Sequence, residues 1–563
     1  AEKDEEKVGK IAHLIVSCVA DLPMQTPAYA ALTLAVHEHV KDHEAYAGFA
    51  TRCIQYAMLQ IARELDVTLL SANENVAQST CRLKLLFRYL CLLANVGIVN
   101  AYEGETAVEP SQMTVFGLVS VLVDAATAAA NQHQNLKASA WLCLVILSTV
   151  PYLIELQAIP RDVIDEKIIK PVEQVLSQYK STFTPGTGMT ALLLKEPQVE
   201  EGDEADEDDE EDDADDDEDS GAVCDSLQDL LRAVKFWRKE GRPSRFALPV
   251  DAPWKGLVHK TVPNPDSGEE SESHPISYTE SPMHLRFPRE CQLLNLLLAG
   301  AGTESPLKLQ YFNLEGAVFG RLPIFGSPPD PDDDEEDEEE MEDGTAKNEQ
   351  LQAFRCMSLL DRYFVAETLR DCLISHESHV NPSGLELGNA KSVAEEVLRV
   401  GHVFQSGEED HSKGMEFALL ETLFGLLSQS TEKSSLRHIF LCRVILELVR
   451  IEPSRISQAL MIGVTNLFQD YLPALVPVAR ENFSRWFAFH LTNTDYQWPS
   501  AYWQLWEPYA TANNRSSRGE FVRSALQSMS ENLSDPTPMV SGSLGGVAKS
   551  LAKEAVGRNA TPP

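Results

Sequence analysis

Residues 82–99 read RLKLLFRYLCLLANVGIV, and their apolar side chains recur at helical spacing. The apolar positions follow the pattern i, i+3, i+4, i+7 and i+11: Leu83, Leu86, Phe87, Leu90 and Ala94. Arg82, Lys84 and Arg88 lie off this stripe. Such spacing places the apolar side chains on one face of an α-helix, so the stretch predicts a helix that buries that face.

The same spacing returns in the second half of the chain: Phe417, Leu420, Phe424 and Leu427, and then Ile439, Cys442, Leu446 and Val449. No stretch keeps the apolar–polar alternation that a sheet needs. Helical stretches come in pairs of about 40 residues, a size typical of helical-repeat proteins. Short breaks separate them: Asp21-Leu22-Pro23, Gly104, Glu452-Pro453 and Trp498-Pro499. The sequence therefore predicts an all-α fold, a HEAT-like superhelical solenoid of helical hairpins.

The formal net charge of −39 is concentrated in two acidic runs. Residues 200–219 hold 17 acidic residues and residues 330–343 hold 12, and the remaining chain carries only −10. Like charges at this density repel one another and cannot bury a core, so both runs are predicted to be disordered. The acidity therefore belongs to inserts and not to the folded body.

The helical blocks and the inserts together predict six segments along the chain. These are a first helical-repeat domain at 1–182, a disordered acidic linker at 183–222, a helix and extended link completing the first domain at 223–257, a Pro/Ser/acidic linker at 258–350, a second helical-repeat domain at 351–535, and a linker with the start of a truncated third domain at 536–563.

The ten cysteines are scattered without a CxxC pair, and most lie in apolar helical stretches, as Cys91 and Cys143 do. This pattern predicts free thiols that pack as small apolar residues, as in a reducing compartment. Residues 138–154 form the longest uncharged run. Because a membrane-spanning helix needs about 20 apolar residues, this run predicts a buried core helix instead.

No catalytic, cofactor-binding or metal-binding residues are predicted. Pro185-Gly186-Thr187-Gly188 lacks the lysine and the preceding strand of a phosphate loop. His37, His39 and His43 lie close together, but their spacing fixes no metal geometry, so surface histidines are the preferred interpretation. Residues 235–245 hold five basic residues in eleven, which favours a solvated helix end over a phosphate-binding stripe.

Residues 483–506, FSRWFAFHLTNTDYQWPSAYWQLW, contain four of the seven tryptophans. The preferred interpretation is an aromatic core that closes the second block, with His490 inside it. The alternative is a partner-binding surface, because aromatic side chains concentrate at interface hot spots. In that reading four residues leave the core and are the candidate partner-binding residues: Tyr496, Gln497, Trp498 and Trp503.

The same segment resembles the second domain of the large subunits of nuclear mRNA cap-binding complexes, whose domains are similar to the middle domain of initiation factor 4G. Further stretches resemble that family in the same order along the chain: 82–99, 141–153, 234–248, 363–376, 415–427, 436–453 and 519–530. Residues 542–563 resemble the first helix of the family's third domain. The two long acidic inserts depart from the family pattern.

The resemblance implies a non-catalytic scaffold that works through its partners. It implies that the chain binds and orders a small RNA-recognition-motif subunit, which then holds the 7-methylguanosine cap of RNA polymerase II transcripts. Further implied partners are splicing, export and decay factors and a nuclear import receptor, with a location in the nucleus and possible shuttling to the cytoplasm. Neither a cofactor nor a membrane is implied.

Two alternative functions stay open at this point. One is another helical-repeat scaffold of RNA metabolism, in translation initiation or nonsense-mediated decay, which would bind an RNA helicase directly. The other is a nuclear transport receptor, which would bind the Ran GTPase.

Overall fold

The computed structural model describes most of the chain in fourteen stretches. With gaps at 133, 155, 157, 228–229, 279 and 289–290, these are 2–41, 48–70, 76–104, 113–182, 227–235, 259–262, 272–275, 278–291, 322–326, 349–378, 389–403, 413–430, 437–510 and 515–531. The two acidic runs and the segment 536–563 lie outside the described residues.

Internal contacts divide the chain into two compact units. The first unit comprises 1–184, 226–318 and 328–419, and the second unit comprises 185–225, 319–327 and 420–563. The helix that begins at Met415 therefore starts in the first unit and ends in the second.

Helices dominate the first unit. They are α1 Glu2–Asp21, a 3₁₀ turn Pro23–Gln25, α2 Thr26–Val40, α3 Phe49–Leu70, α4 Val76–Asn95, α5 Val115–Asn131, α6 Leu136–Ile154, α7 Arg161–Ile164, a π turn Asp165–Ile169, α8 Lys170–Thr182, α9 Glu349–Arg355, α10 Leu359–Ser378 and α11 Asn389–Val403.

Helices also build the second unit. They are the end of α12 Met415–Gln429, then α13 His438–Ile451, α14 Pro453–Asn466, a π turn Leu467–Tyr471, α15 Pro477–Thr492, α16 Ser500–Trp506, a 3₁₀ turn Glu507–Tyr509 and α17 Ser517–Glu531.

The predicted all-α, helical-repeat fold is confirmed. Helices that are close in sequence pack on one another, as α5 does on α6 and α15 does on α17. Among the described residues the strands form one small antiparallel hairpin, His259–Val262 with Glu272–Pro275. This hairpin falls in the predicted Pro/Ser/acidic linker, where the short runs of residues gave no strand pattern.

Helix α6 is the buried core helix that its composition predicted. It is long and apolar enough to cross a membrane, but 83% of its most apolar stretch is buried inside the protein. Trp141 of this helix is fully buried, and its indole Nε1 donates a 2.8 Å hydrogen bond to the hydroxyl of Thr80 on α4. The neighbouring helices therefore cover most of α6.

The two compact units divide the chain differently from the predicted domains. Helices α9, α10 and α11, which were assigned to the second domain, group with residues 1–184. The reason is a set of contacts between α10 and α4, which the sequence pattern of either helix alone does not show. The domain bounds themselves stay a prediction.

Candidate functional site

The aromatic segment that the sequence singled out forms the centre of the second unit. Phe487 of α15 lies in the middle, with ring centroids 5.2 Å from Trp498, 5.5 Å from Trp506 and 5.6 Å from Tyr502. Phe468 of the π turn stacks on Trp506 at 6.2 Å. Edge-to-face and tilted pairs at these distances stabilise a core beyond the area they bury. The segment therefore forms a buried aromatic core.

The four candidate partner-binding residues separate into two pairs. Trp503 is 1% exposed and Tyr496 is 4% exposed, so the expectation that these two leave the core is wrong. Gln497 is exposed, and Trp498 is half-buried with its ring against Phe487. Of the four candidates, only Gln497 and Trp498 therefore remain as candidates for a partner-binding surface.

The turn between α15 and α16 explains this separation. Asp495 and Tyr496 have φ values of 52° and 58°, in the left-handed region that most residues avoid. The Tyr496 amide donates to the Leu491 carbonyl at 2.8 Å and thereby closes the end of α15. The reversal turns Tyr496 inward and exposes Gln497, and Trp498 returns onto Phe487.

His490 is an integral part of this core. Its ring lies 5.6 Å from Trp498 and 5.7 Å from Trp486, and the residue is 3% exposed. Burial lowers the pKa of His490 to about 4, because the apolar surroundings penalise the charged form. The side chain is therefore neutral at neutral pH, as the core interpretation of this histidine requires.

The most unusual side chains of the first unit are buried charges that the helical stripe did not single out. The Lys84 ammonium donates to Glu367 Oε1 at 2.9 Å and to Asp371 Oδ2 at 3.0 Å. The Arg88 guanidinium donates to Glu367 Oε2 and to the Ser148 carbonyl, the latter at 3.3 Å. All four charged residues are at most 4% exposed. We call Lys84, Arg88, Glu367 and Asp371 the buried ion network.

The electrostatics of the network favour the charged states of Glu367 and Arg88. Burial alone would raise the pKa of Glu367, but Arg88 and Lys84 lower it to about 2. Burial alone would lower the pKa of Arg88, but Glu367 holds it above its ordinary value. The Tyr363 hydroxyl donates a third hydrogen bond to Glu367, at 3.0 Å. The four residues carry two positive and two negative charges, and a further buried cation, Arg370, lies 3.8 Å from Asp371 Oδ1.

The network joins α4 to α10, and its charged groups are not available to a substrate. Its carboxylates are each engaged by cations, and burial keeps substrates away from them. Its residues are spaced by four on both helices, 84 and 88 on α4 and 367 and 371 on α10. This matched spacing was the signal in the sequence, because residues four apart lie on one face of a helix.

Within the part of the chain that the structure describes, no group of three or more His, Cys, Asp or Glu side chains could hold a metal ion. The nine described cysteines all carry free thiols, and seven of them are buried, as Cys143 is. Burial raises the pKa of the Cys143 thiol well above its ordinary value, which keeps it protonated and unreactive.

Comparison with known proteins shows that part of this architecture is similar to a known family of helical domains. Residues 357–531, which run from the start of α10 to the end of α17, match the family described as MIF4G like. The match includes α10, with Glu367 and Asp371, and the whole aromatic core.

Two curated relatives give a more particular likeness. Both are named nuclear cap-binding protein subunit 1, one from Caenorhabditis briggsae and one from Caenorhabditis elegans. They are 26% and 27% identical to this chain over 139 residues, which is 25% of this chain. The chain covers 16% of the length of either relative. The resemblance derived from the sequence motifs is thereby confirmed.

Proposed function

We propose that this chain is a non-catalytic scaffold subunit of a nuclear cap-binding complex. The observation that carries the proposal is the likeness of the chain to two proteins named nuclear cap-binding protein subunit 1, together with the MIF4G-like match over 357–531. The geometry agrees with it, because the buried ion network joins two helices and the aromatic segment 483–506 packs as a core.

The proposed mechanism is the ordering of a partner. The chain clamps a small RNA-recognition-motif subunit, whose aromatic side chains stack on the 7-methylguanosine cap. A scaffold that shifts a roughly 1% binding-competent population of that subunit to near 100% contributes about 2.7 kcal/mol, a hundredfold in affinity. The chain thus raises cap affinity without touching the cap.

The surface for this partner is proposed at the turn between α15 and α16. Gln497 is exposed there and Trp498 is half-buried, a combination of a polar contact with an aromatic anchor. Interface hot spots are rich in tryptophan and lie where surrounding contacts exclude water.

Further partners and the location follow from the same proposal. The rest of the scaffold surface recruits splicing, export and decay factors, and a nuclear import receptor delivers the complex to the nucleus, from which it can shuttle to the cytoplasm. The domain division at 1–182 and 351–535 belongs to this proposal as well.

A fluorescence titration with a cap analogue tests the mechanism. We expect the chain alone to bind no cap, the small subunit alone to bind weakly, and the mixture to bind about a hundredfold more tightly than the small subunit. An uncapped RNA of the same sequence is the control ligand. Cap-selective binding by this chain alone would overturn the scaffold proposal, and so would an unchanged affinity on mixing.

A further inference from the structure

Five residues from the middle of the chain lie inside the second unit, far in sequence from the helices they contact. They read Leu322-Pro323-Ile324-Phe325-Gly326. Leu322, Ile324 and Phe325 are each at most 1% exposed. Their contacts are with α14 and the π turn that follows it, more than a hundred positions later. We call 322–326 the inserted segment.

A glycine makes room for the aromatic side chain of this segment. A Cβ atom added at Gly463 of α14 would lie 2.7 Å from Phe325 Cζ and 3.2 Å from Ile324 Cδ1. Real Cβ atoms do not approach other atoms as closely as the first of these distances. Glycine also weakens a helix interior by about 1 kcal/mol relative to alanine. At position 463 it creates a slot for Phe325.

Two polar side chains bind the main chain of the inserted segment. Asn466 donates its amide Nδ2 to the Ile324 carbonyl at 2.8 Å, and the Tyr471 hydroxyl donates to the Pro323 carbonyl at 2.6 Å. We call Gly463, Asn466 and Tyr471 the slot residues. Recognition of main-chain carbonyls combined with a pocket for one side chain is a general mode of peptide binding.

The π turn 467–471 begins directly after Asn466 and ends at Tyr471, so it positions the Tyr471 hydroxyl. Arg518 of α17 donates to the carbonyls of Phe468 (2.9 Å) and Gln469. Phe468 itself points into the aromatic core, where it contacts Trp506. The π turn therefore has one side bound to the core and the other side, with Tyr471, bound to the inserted segment. Single π turns of this kind are frequent at functional sites.

The inserted segment holds its own bound conformation. The Gly326 amide donates to the Pro323 carbonyl at 3.1 Å, which closes a turn within the segment. Gly326 has a φ of 103°, a backbone conformation that other residues rarely adopt. Pro323 has a fixed φ and lacks an amide donor. A peptide that is ordered before it binds loses less entropy on binding.

We propose that the slot residues form a binding site for short apolar peptides with a Pro–aliphatic–Phe–Gly turn, and that residues 322–326 occupy it as an intramolecular ligand. Phe325 is the anchor, and Asn466 and Tyr471 read the backbone of the turn. The covalent connection makes the binding of this ligand intramolecular, so that it competes strongly with a dilute free peptide. A free peptide therefore binds the wild-type chain more weakly than a chain whose inserted segment is removed.

A labelled peptide of residues 320–328, GRLPIFGSP, tests the proposal by fluorescence anisotropy. Two variants, called the emptied chains, are designed to free the slot residues from the inserted segment. The first carries Ile324→Ser and Phe325→Ser, and in the second residues 322–326 are replaced by five serines. We expect both emptied chains to bind the peptide, and the wild-type chain to bind it at least about tenfold more weakly because its slot is occupied. Near-UV circular dichroism verifies that the aromatic core of each emptied chain is intact.

Matched variants of α14 in the emptied chain identify the site. Gly463→Val fills the slot and is expected to abolish binding, whereas Ser457→Val, an exposed position on the same helix, is expected to leave it unchanged. Equal binding by the Gly463→Val chain, or equal binding by the wild-type and emptied chains, would overturn the proposal. A scrambled peptide that binds the folded emptied chain as well as GRLPIFGSP does would overturn it too. This test uses no cap and no partner, so its outcome is independent of the proposed function.

Discussion

Glu367 is the carboxylate of the buried ion network that hydrogen-bonds three different side chains. It accepts from Lys84, Arg88 and Tyr363, and it is fully buried. Replacing such a group leaves buried cations without their partner, which costs more than the pair itself contributes to stability. Substitution of Glu367 is therefore expected to lower the stability of the fold strongly.

We predict that Glu367→Gln lowers the free energy of unfolding of the first unit by about 3 kcal/mol. The amide keeps the shape of the side chain but not its charge, so Arg88 and Lys84 retain only Asp371 as a counter-ion. Urea unfolding followed by far-UV circular dichroism measures the loss. Glu395→Gln is the matched control, because Glu395 pairs with Lys391 on the exposed face of α11 and is 47% exposed. An equal effect of the two substitutions would contradict the role assigned to the network.

The pH dependence of Glu367 has a definite sign. Its pKa in the folded chain is about 2, below the ordinary value of 4.5. A lowered carboxylate pKa stabilises the fold above pH 4.5, and this contribution is lost as the pH falls from 4.5 towards 2. The network therefore contributes fully at neutral pH.

His490 responds in a different pH range. Burial lowers its pKa from the ordinary 6.5 to about 4, so the folded chain binds the proton more weakly than the unfolded chain. The stability that comes from a neutral His490 is present above pH 6.5 and is lost as the pH falls through 6.5 towards 4. We predict that His490→Phe removes on the order of 2 kcal/mol of the stability loss between pH 7 and pH 5.

Tryptophan fluorescence during urea unfolding at pH 7 and pH 5 measures this difference. Four of the seven tryptophans lie in 483–506, so the signal reports mainly on the second unit. His13→Phe is the control, because His13 is exposed on α1 of the first unit. If the second unit of the His490→Phe chain loses as much stability at pH 5 as the wild-type chain does, the histidine is not the titrating group.

At the scale of one helix, α4 shows what the sequence could and could not predict. The stripe of Leu83, Leu86 and Leu90 is fully buried, as its period predicted. The same period left Lys84 and Arg88 off the stripe, yet both are buried because α10 covers the opposite face with Glu367 and Asp371. Periodicity within one helix carries no information about a partner 283 residues away.

The segment from α15 to α16 gives the corresponding result for the candidate site. Its aromatic composition predicted the core, and Trp486, Trp503 and Trp506 are at most 1% exposed. Which residues remain outside depends on two positive φ values, at Asp495 and Tyr496. Neither residue is a glycine, so no glycine signal in the sequence indicated the reversal. The sequence therefore predicts which residues form the aromatic core, but which of them remain exposed depends on the backbone conformation of the turn.

At the scale of the whole molecule, long-range contacts determine how the chain is divided. The inserted segment 322–326 belongs to the second unit, although α9, α10 and α11, which follow it in sequence, belong to the first. After residue 327 the chain therefore leaves the second unit, runs through the first unit as far as residue 419, and enters the second unit again within α12. Sequence blocks bounded by linkers predict contiguous domains, and they cannot predict a path of this kind.

The last prediction concerns the partner surface of the proposed complex. We expect Gln497→Arg to weaken binding of the small RNA-recognition-motif subunit by about tenfold or more, because truncation or replacement of a hot-spot residue costs more than about 1.4 kcal/mol. Gln497 is chosen because it is exposed, whereas Trp498 packs on Phe487 and His490, so that its removal would also disturb the core.

Isothermal titration calorimetry with the purified small subunit measures the effect. Ser457→Arg is the matched control, since it adds the same charge at an exposed position of α14 in the same unit. Equal thermal midpoints of the two variants exclude a difference in folding. If Gln497→Arg and Ser457→Arg bind the small subunit as tightly as the wild-type chain, the turn between α15 and α16 is not the partner surface. The scaffold would then have to use another face, while the titration with the cap analogue would still test its function.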